Sequence, residues 1–159
     1  MSRTPRGKVL DAPARRTGPR RFTRILVPID LSDRNARTLA TALALARQNR
    51  ARVTLLHVIQ QVADTPVAEL DDFYRQLSAT AERRLERAAA PFARSGLVVK
   101  TETCVGDPAR EVIRVSLRDR VNLLVMGSHR VRPGGKASGW GTTSYKVGVF
   151  CQCPVLLVK

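Results

Sequence analysis

The sequence predicts an α/β fold, a five-stranded parallel sheet wound doubly with helices on both faces. Three observations carry that prediction. Short apolar runs alternate with segments whose small and apolar residues recur at helical spacing, in the order β-α-β-α-β-α-β-α-β. The runs are apolar almost throughout instead of alternating with polar residues, as strands covered on both faces must be. Aromatic residues are only 4% of a chain that is 43% hydrophobic, so the core has to be Val, Leu, Ile and Ala, the mix of buried parallel strands under alanine-rich helices. At 159 residues one domain is expected, with enough chain for a proper core.

Residues 1–21 show no periodicity and combine Pro, Gly, Ser/Thr and Arg, which reads as a disordered basic tail. The domain is expected over 22–159. Ile25 to Ile29 is the first strand, and Pro28 suggests that pairing stops near it. Asp30 follows, then Ser32 or Asp33 as the cap of a helix that places Ala36, Leu39, Ala40, Leu43, Ala44 and Ala46 on its apolar side. Val53 to Val58 is the second strand. After a linker through Asp64-Thr65-Pro66, a stripe of Leu70, Tyr74, Leu77, Ala81, Leu85, Ala88 and Phe92 predicts a long helix. Leu97 to Cys104 mixes apolar and charged residues and reads as an exposed edge strand. Asp107-Pro108 is a strong helix start, because the carboxylate takes an orphan N–H and Pro suits the first turn. That helix shows Ala109, Val112, Ile113 and Ser116 on one face. A fourth strand over Val121 to Met126, a short helix opened by Gly141-Thr142-Thr143-Ser144 and a last strand after Pro154 complete the chain.

The net charge is +15, and residues 1–21 hold seven Lys/Arg against the single acid Asp11, leaving about +9 for the rest. A basic excess favours polyanions or phosphorylated ligands, while the bland reading is a solvated surface. No apolar run approaches the eighteen or more residues of a membrane span, and the N-terminus lacks the hydrophobic stretch of a secretory signal. Pro5, Pro13 and Pro19 oppose the amphipathic helix of an organelle transit peptide. Of three cysteines, Cys151 and Cys153 are too close for an easy mutual disulfide and Cys104 stands alone, so reduced thiols in a cytoplasm are expected. A lone C-x-C is weak as a metal or redox pair, and both cysteines read as structural. No convincing nucleophile, carboxylate pair or metal cluster appears, so a catalytic role is not expected.

Gly127-Ser128-His129 after an apolar strand, with small hydroxyl residues at the next helix start, is how backbone N–H groups come to face a phosphate. In open parallel sheets the ligand crevice lies beyond the carboxyl ends of strands, where the winding reverses. Strand order is not readable from composition. If the sheet winds outward from strand one and resumes on its other side with strand four, Asp30 and Gly127 share one crevice, with the acid facing a base or ribose and the glycine turn facing phosphates. Each residue also has a plainer reading: Asp30 as a cap, the glycines as turn residues, Ser128, Thr142 and Thr143 as helix caps. His57 reads as a packed, hydrogen-bonded histidine. His129 has no carboxylate or nucleophile that can be paired with it, and Lys136 reads as solvated.

Ile25-Leu26-Val27-Pro28-Ile29-Asp30, Leu55-Leu56-His57-Val58, Gly106-Asp107-Pro108, Val125-Met126-Gly127-Ser128-His129 and the tail from Gly141-Thr142-Thr143-Ser144 to Cys153-Pro154-Val155-Leu156-Leu157-Val158 together resemble the universal stress proteins of the UspA type, within the adenine-nucleotide alpha-hydrolase-like folds. The resemblance covers residues 22–159. It implies strand order 3-2-1-4-5, a homodimer pairing through the last strand, and an ATP site, with Mg2+ in attendance, at Pro28, Asp30, Val58 (through its backbone), Gly127, Ser128, His129, Arg130, Gly141, Thr142 and Thr143. The chain departs from the ATP-binding pattern of that family at two places. Arg130 stands where a second glycine is expected, with ten residues instead of nine before Gly141, and Leu31 replaces the glycine after the first Asp. Arginine adds bulk and disfavours positive φ, although its guanidinium can meet a phosphate itself. Two rivals therefore stand beside the ATP reading: a dimeric interaction module that has lost the nucleotide, and a polyanion or nucleic-acid binder acting through the basic tail.

Overall fold

The computed structural model describes residues 22–62, 70–128 and 142–159. Its elements are β1 (Arg24–Pro28), α1 (Ala36–Asn49) after a 3-10 turn (Asp33–Asn35), β2 (Arg52–Gln60), α2 (Asp71–Arg94), β3 (Val99–Gly106), α3 (Pro108–Arg118), β4 (Leu123–Gly127), α4 (Thr143–Phe150) and β5 (Val155–Val158). The strands form one parallel sheet in the order β3-β2-β1-β4-β5, the expected doubly wound topology. The basic tail 1–21, the linker at Asp64-Thr65-Pro66, and His129, Arg130, Lys136 and Gly141 lie outside the described residues.

Each central strand sends alternate side chains to opposite faces, and a separate core forms on each. Ile25, Val27, Val53, Leu55 and Val125 pack with Ala42, Ala46, Leu85 and Phe92 of α1 and α2. On the other face Leu26, Leu56, Leu124 and Met126 pack with Ala109, Val112 and Val115 of α3 and Val147 of α4. The edge character expected of β3 holds, since it pairs only with β2 and most of its residues are half-exposed.

Several local expectations need correcting. On α1 the buried residues are Thr38, Ala42 and Ala46, whereas Ala36, Ala40 and Ala44 face outward. Alanine occupies both sides of this helix, so its spacing does not reveal the inner face. On α2, Leu77 is 38% exposed and Ala89 is buried where Ala88 was expected, because the long helix packs most closely against the sheet over its C-terminal half. Neither Ser32 nor Asp33 caps α1 with its side chain. Ser32 is drawn instead to Asp30, whose Oδ1 accepts both its amide and its hydroxyl. The third strand starts at Val99 and not at Leu97, the second extends to Gln60, and the fourth begins at Leu123 and ends at Gly127. Asp107 does cap α3, its Oδ1 accepting the Arg110 amide at 2.9 Å.

Away from the carboxyl ends, Arg118 grips Glu102 of β3 with two hydrogen bonds, at 2.8 and 2.7 Å, and Lys100 adds a third at 2.7 Å. The Arg118 bond, against some cost of burial, brings the Glu102 carboxyl down from about 4.5 to about 2. A carboxyl lowered on folding stabilises the fold above its unfolded value, and that contribution is lost as pH falls through its folded value. Acid unfolding of the wild-type domain should therefore steepen between about pH 4.5 and 2. Glu102→Gln should flatten that segment and cost roughly 1–2 kcal/mol at pH 7, the full shift being reduced by the solvent around Arg118. Equal acid profiles for the two proteins would show that the bridge contributes nothing.

Candidate functional site

The crevice arises because the middle strand, β1, ends before the strands on either side of it. β1 stays in register with β2 only to Pro28 opposite Leu56, and with β4 only to Leu26 opposite Leu124. β2 then runs on beside β3 to Gln60, and β4 beside β5 to Gly127. Both neighbours overrun β1, leaving a trough above its carboxyl end. Its volume is about 830 Å³, within the range of small-molecule and cofactor sites.

Asp30 stands at the floor. Its Oδ1 accepts from the Ser32 amide at 2.9 Å, the Ser32 hydroxyl at 2.6 Å and Asn35 Nδ2 at 2.5 Å. No described residue bonds Oδ2. Burial opposes the charged form, but the hydroxyl, the two amide groups and the nearby Arg34 cation outweigh it, so the carboxyl lies below its usual range and is ionised at neutral pH. The following residue, Leu31, has φ 61°, a left-handed conformation that costs a leucine about 1–2 kcal/mol. Leu31 is held there by partial burial against the α1–α2 core. His57 supports the same loop from β2: the Ile29 carbonyl accepts from Nδ1 at 2.9 Å, which fixes the tautomer. That is the packed role expected of it.

On the opposite rim Gly127 ends β4. Its backbone needs no positive φ; it is small because α1 crosses close by, and a Cβ there would sit 3.3 Å from Thr38 Oγ1. The Ser128 amide continues the ladder to the Val158 carbonyl at 2.8 Å, and its hydroxyl accepts from Lys159 Nζ at 3.0 Å. Thr142 is the N-cap of α4, accepting the Tyr145 amide at 3.3 Å, and no acid sits in that helix's first turn. A helix start of this kind carries partial positive charge toward the trough.

Of the ten residues expected at the site, Pro28, Asp30, Val58, Gly127, Ser128, Thr142 and Thr143 line this one trough. His129, Arg130 and Gly141 lie outside the described residues. Sequence reasoning missed Arg34, Arg37, Thr38, Gln60 and Lys159, which also line it. The arginines look like any solvated helix face, and only their i, i+3 spacing directly after the loop offered a signal. Asp30 is the one carboxylate among the described lining residues. Among the described residues no group of three His, Cys, Asp or Glu could hold a metal ion.

The cysteines sit apart from this. Cys151 and Cys153 are half-buried against the α3–α4 core with their sulfurs 3.4 Å apart. Burial first, then the adjacent Cys151 thiol, holds the Cys153 thiol well above the ordinary thiol range. Burial, reinforced by Glu111, raises Cys104 to about 11. Thiols of this kind stay protonated and unreactive near neutral pH.

A doubly wound parallel sheet in this strand order, with a trough where its winding reverses, fits the adenine-nucleotide alpha-hydrolase-like class of α/β domain. Within that class the chain belongs to the Universal stress protein family, whose model matches residues 21–159. It is 30% identical over 148 residues to Universal stress protein YxiE of Bacillus subtilis, covering 87% of this chain and 99% of that one. Universal stress protein UspA from Lactobacillus plantarum superposes with a TM-score of 0.72 at 26% identity, over 87% of this chain and 99% of that chain. Two more distant structures share the fold at TM-scores of 0.66 and 0.62: a universal stress protein in complex with cAMP, 18% identical, and one from Archaeoglobus fulgidus in complex with dAMP, 19% identical. Each covers 87% of this chain, which spans 97% and 99% of theirs.

Proposed function

We propose that this is a stress-response regulatory protein that binds an adenine nucleotide, ATP, in the trough over β1 and β4 and acts without turnover. The observation that carries the reading is the trough itself, where an ionised, preorganised Asp30 and the Gly127 turn face one another across about 830 Å³. The cAMP and dAMP complexes of two relatives support an adenine nucleotide. Asp30 Oδ2 and the β1-facing backbone of Val58 hold the base or ribose, and Ser128, Thr142 and Thr143 with the start of α4 hold phosphate. Any Mg2+ travels with the phosphates and its own waters, since one carboxylate already committed to its loop is a poor cage. His129, Arg130 and Gly141 complete the phosphate end.

The assembly proposed is a cytoplasmic homodimer through β5, with residues 1–21 a basic tail outside the domain. Phe150 is 66% exposed, and Val149, Leu156 and Leu157 are exposed beside it, an apolar patch next to an open strand edge. A monomeric mass in sedimentation would rule the dimer out. Among the described residues no helix is long and apolar enough to cross a membrane.

Thermal unfolding with and without ATP tests the ligand. At a hundred times its Kd a bound ligand adds about 2.7 kcal/mol, so millimolar ATP should raise Tm clearly. No shift would favour the interaction module, for which Arg130 in the glycine's place is the specific ground. Recovery of the shift in Arg130→Gly would then identify the obstruction. The tail reading is separated by deleting residues 1–21: nucleic-acid affinity with a steep salt slope that vanishes with the tail would favour it.

A further inference from the structure

The α1 wall of the trough has features that the reading above leaves unused. Arg34, Arg37 and Lys159 line it, and neither arginine forms an ion pair among the described residues. Arg37 Nη1 donates to the main-chain oxygen of Lys159 at 2.6 Å, tying the start of α1 to the end of β5. Lys159 Nζ donates in turn to Ser128 at 3.0 Å. Thr38 also lines the trough, and its hydroxyl has no hydrogen bond among the described residues. Among the described residues the buried side-chain oxygen without a partner is that of Thr103 and not of Thr38, so the Thr38 hydroxyl opens on the trough, where a ligand atom can reach it.

We propose that Arg37, Lys159 and the Thr38 hydroxyl form a terminal-phosphate subsite on the α1 wall, so that the trough selects nucleoside polyphosphates over monophosphates. This rests on the adenine-nucleotide reading and adds to it a second anion-binding wall, across from the α4 helix start. The base end stays at Asp30 and Val58, and the phosphate chain extends past Gly127 toward α1. Guanidinium and ammonium donate charge-assisted hydrogen bonds to the last phosphate, and the threonine hydroxyl donates the one it otherwise lacks.

Titration of ATP and AMP into the full chain and three variants tests this. The wild type should bind ATP at least tenfold more tightly than AMP. Arg37→Ala and Lys159→Ala should each lower ATP affinity about tenfold and change AMP affinity less than threefold. Thr38→Val replaces the hydroxyl by a methyl of the same shape. It should leave the Tm of the ligand-free protein within a few degrees of wild type while weakening ATP about tenfold, a loss of binding that a purely structural threonine would not produce. Equal wild-type affinities for ATP and AMP, or an ATP preference untouched by all three substitutions, would overturn the subsite while leaving nucleotide binding standing. Should neither nucleotide bind, the adenine reading fails. Inorganic tripolyphosphate then tests the subsite alone: binding lost in Arg37→Ala supports it, and no binding to the wild type ends it.

Discussion

Truncation of Phe92 to alanine is expected to lower the unfolding free energy by about 3–5 kcal/mol, the largest effect of any single substitution considered for this chain. Phe92 is 1% exposed and is among the bulkiest of the fully buried side chains. It stands in the last turns of α2 within the core cluster that includes Val53, Leu55, Leu85 and Ala89. The cost is lost transfer energy plus a cavity lined by stiff Val and Leu side chains. Against a total stability of roughly 5–15 kcal/mol, Tm should fall by about 10–20 °C. Denaturant unfolding checks the figure: a loss below about 1 kcal/mol with an unchanged m-value would mean that the α1–α2 core collapses around the gap and is not rigidly packed.

The second large effect belongs to Asp30. Three hydrogen bonds converge on its Oδ1, so Asp30→Ala should release the loop from Leu31 to Asn35 and cost about 1–3 kcal/mol without ligand. It should also abolish most of the ATP-dependent rise in Tm. Asp30→Asn separates the two roles. The amide oxygen can still accept from Ser32, so the ligand-free Tm should stay within a few degrees of wild type. The charge and the spare acceptor Oδ2 are lost, so ATP affinity should fall about tenfold or more. Should Asp30→Ala keep the full ATP response, this carboxylate is a loop brace only, and the ligand lies elsewhere along the trough.

Much of the fold was legible because the strands are buried on both faces. Ile25–Ile29, Leu55–Leu56 and Leu123–Met126 are apolar without interruption, and only a covered parallel sheet accommodates that. Asp107-Pro108 announced its helix because both residues act locally, through a cap bond and a fixed φ. Faces of helices were harder to read. Alanine lies on every side of α1, and a small side chain carries too little apolar area to reveal which way it turns. The site divides along the same line. Asp30 and Gly127 could be named from their positions at strand ends, and Thr142 and Thr143 from a helix start. Arg34, Arg37, Thr38 and Lys159 could not, since nothing local distinguishes an arginine on a solvated helix from one beside a cleft.

By itself, then, the sequence determined the order of strands and helices and the family, because periodicity, caps and turn residues act over a few positions of chain. Only the tertiary structure decided that β1 ends before both of its neighbours. It alone set the start of α1, the end of β5 and the Gly127 turn around one trough. Those contacts join residues about a hundred positions apart, and no local preference encodes them; they follow from the parallel register and from close helix-to-sheet packing, such as Thr38 against Gly127.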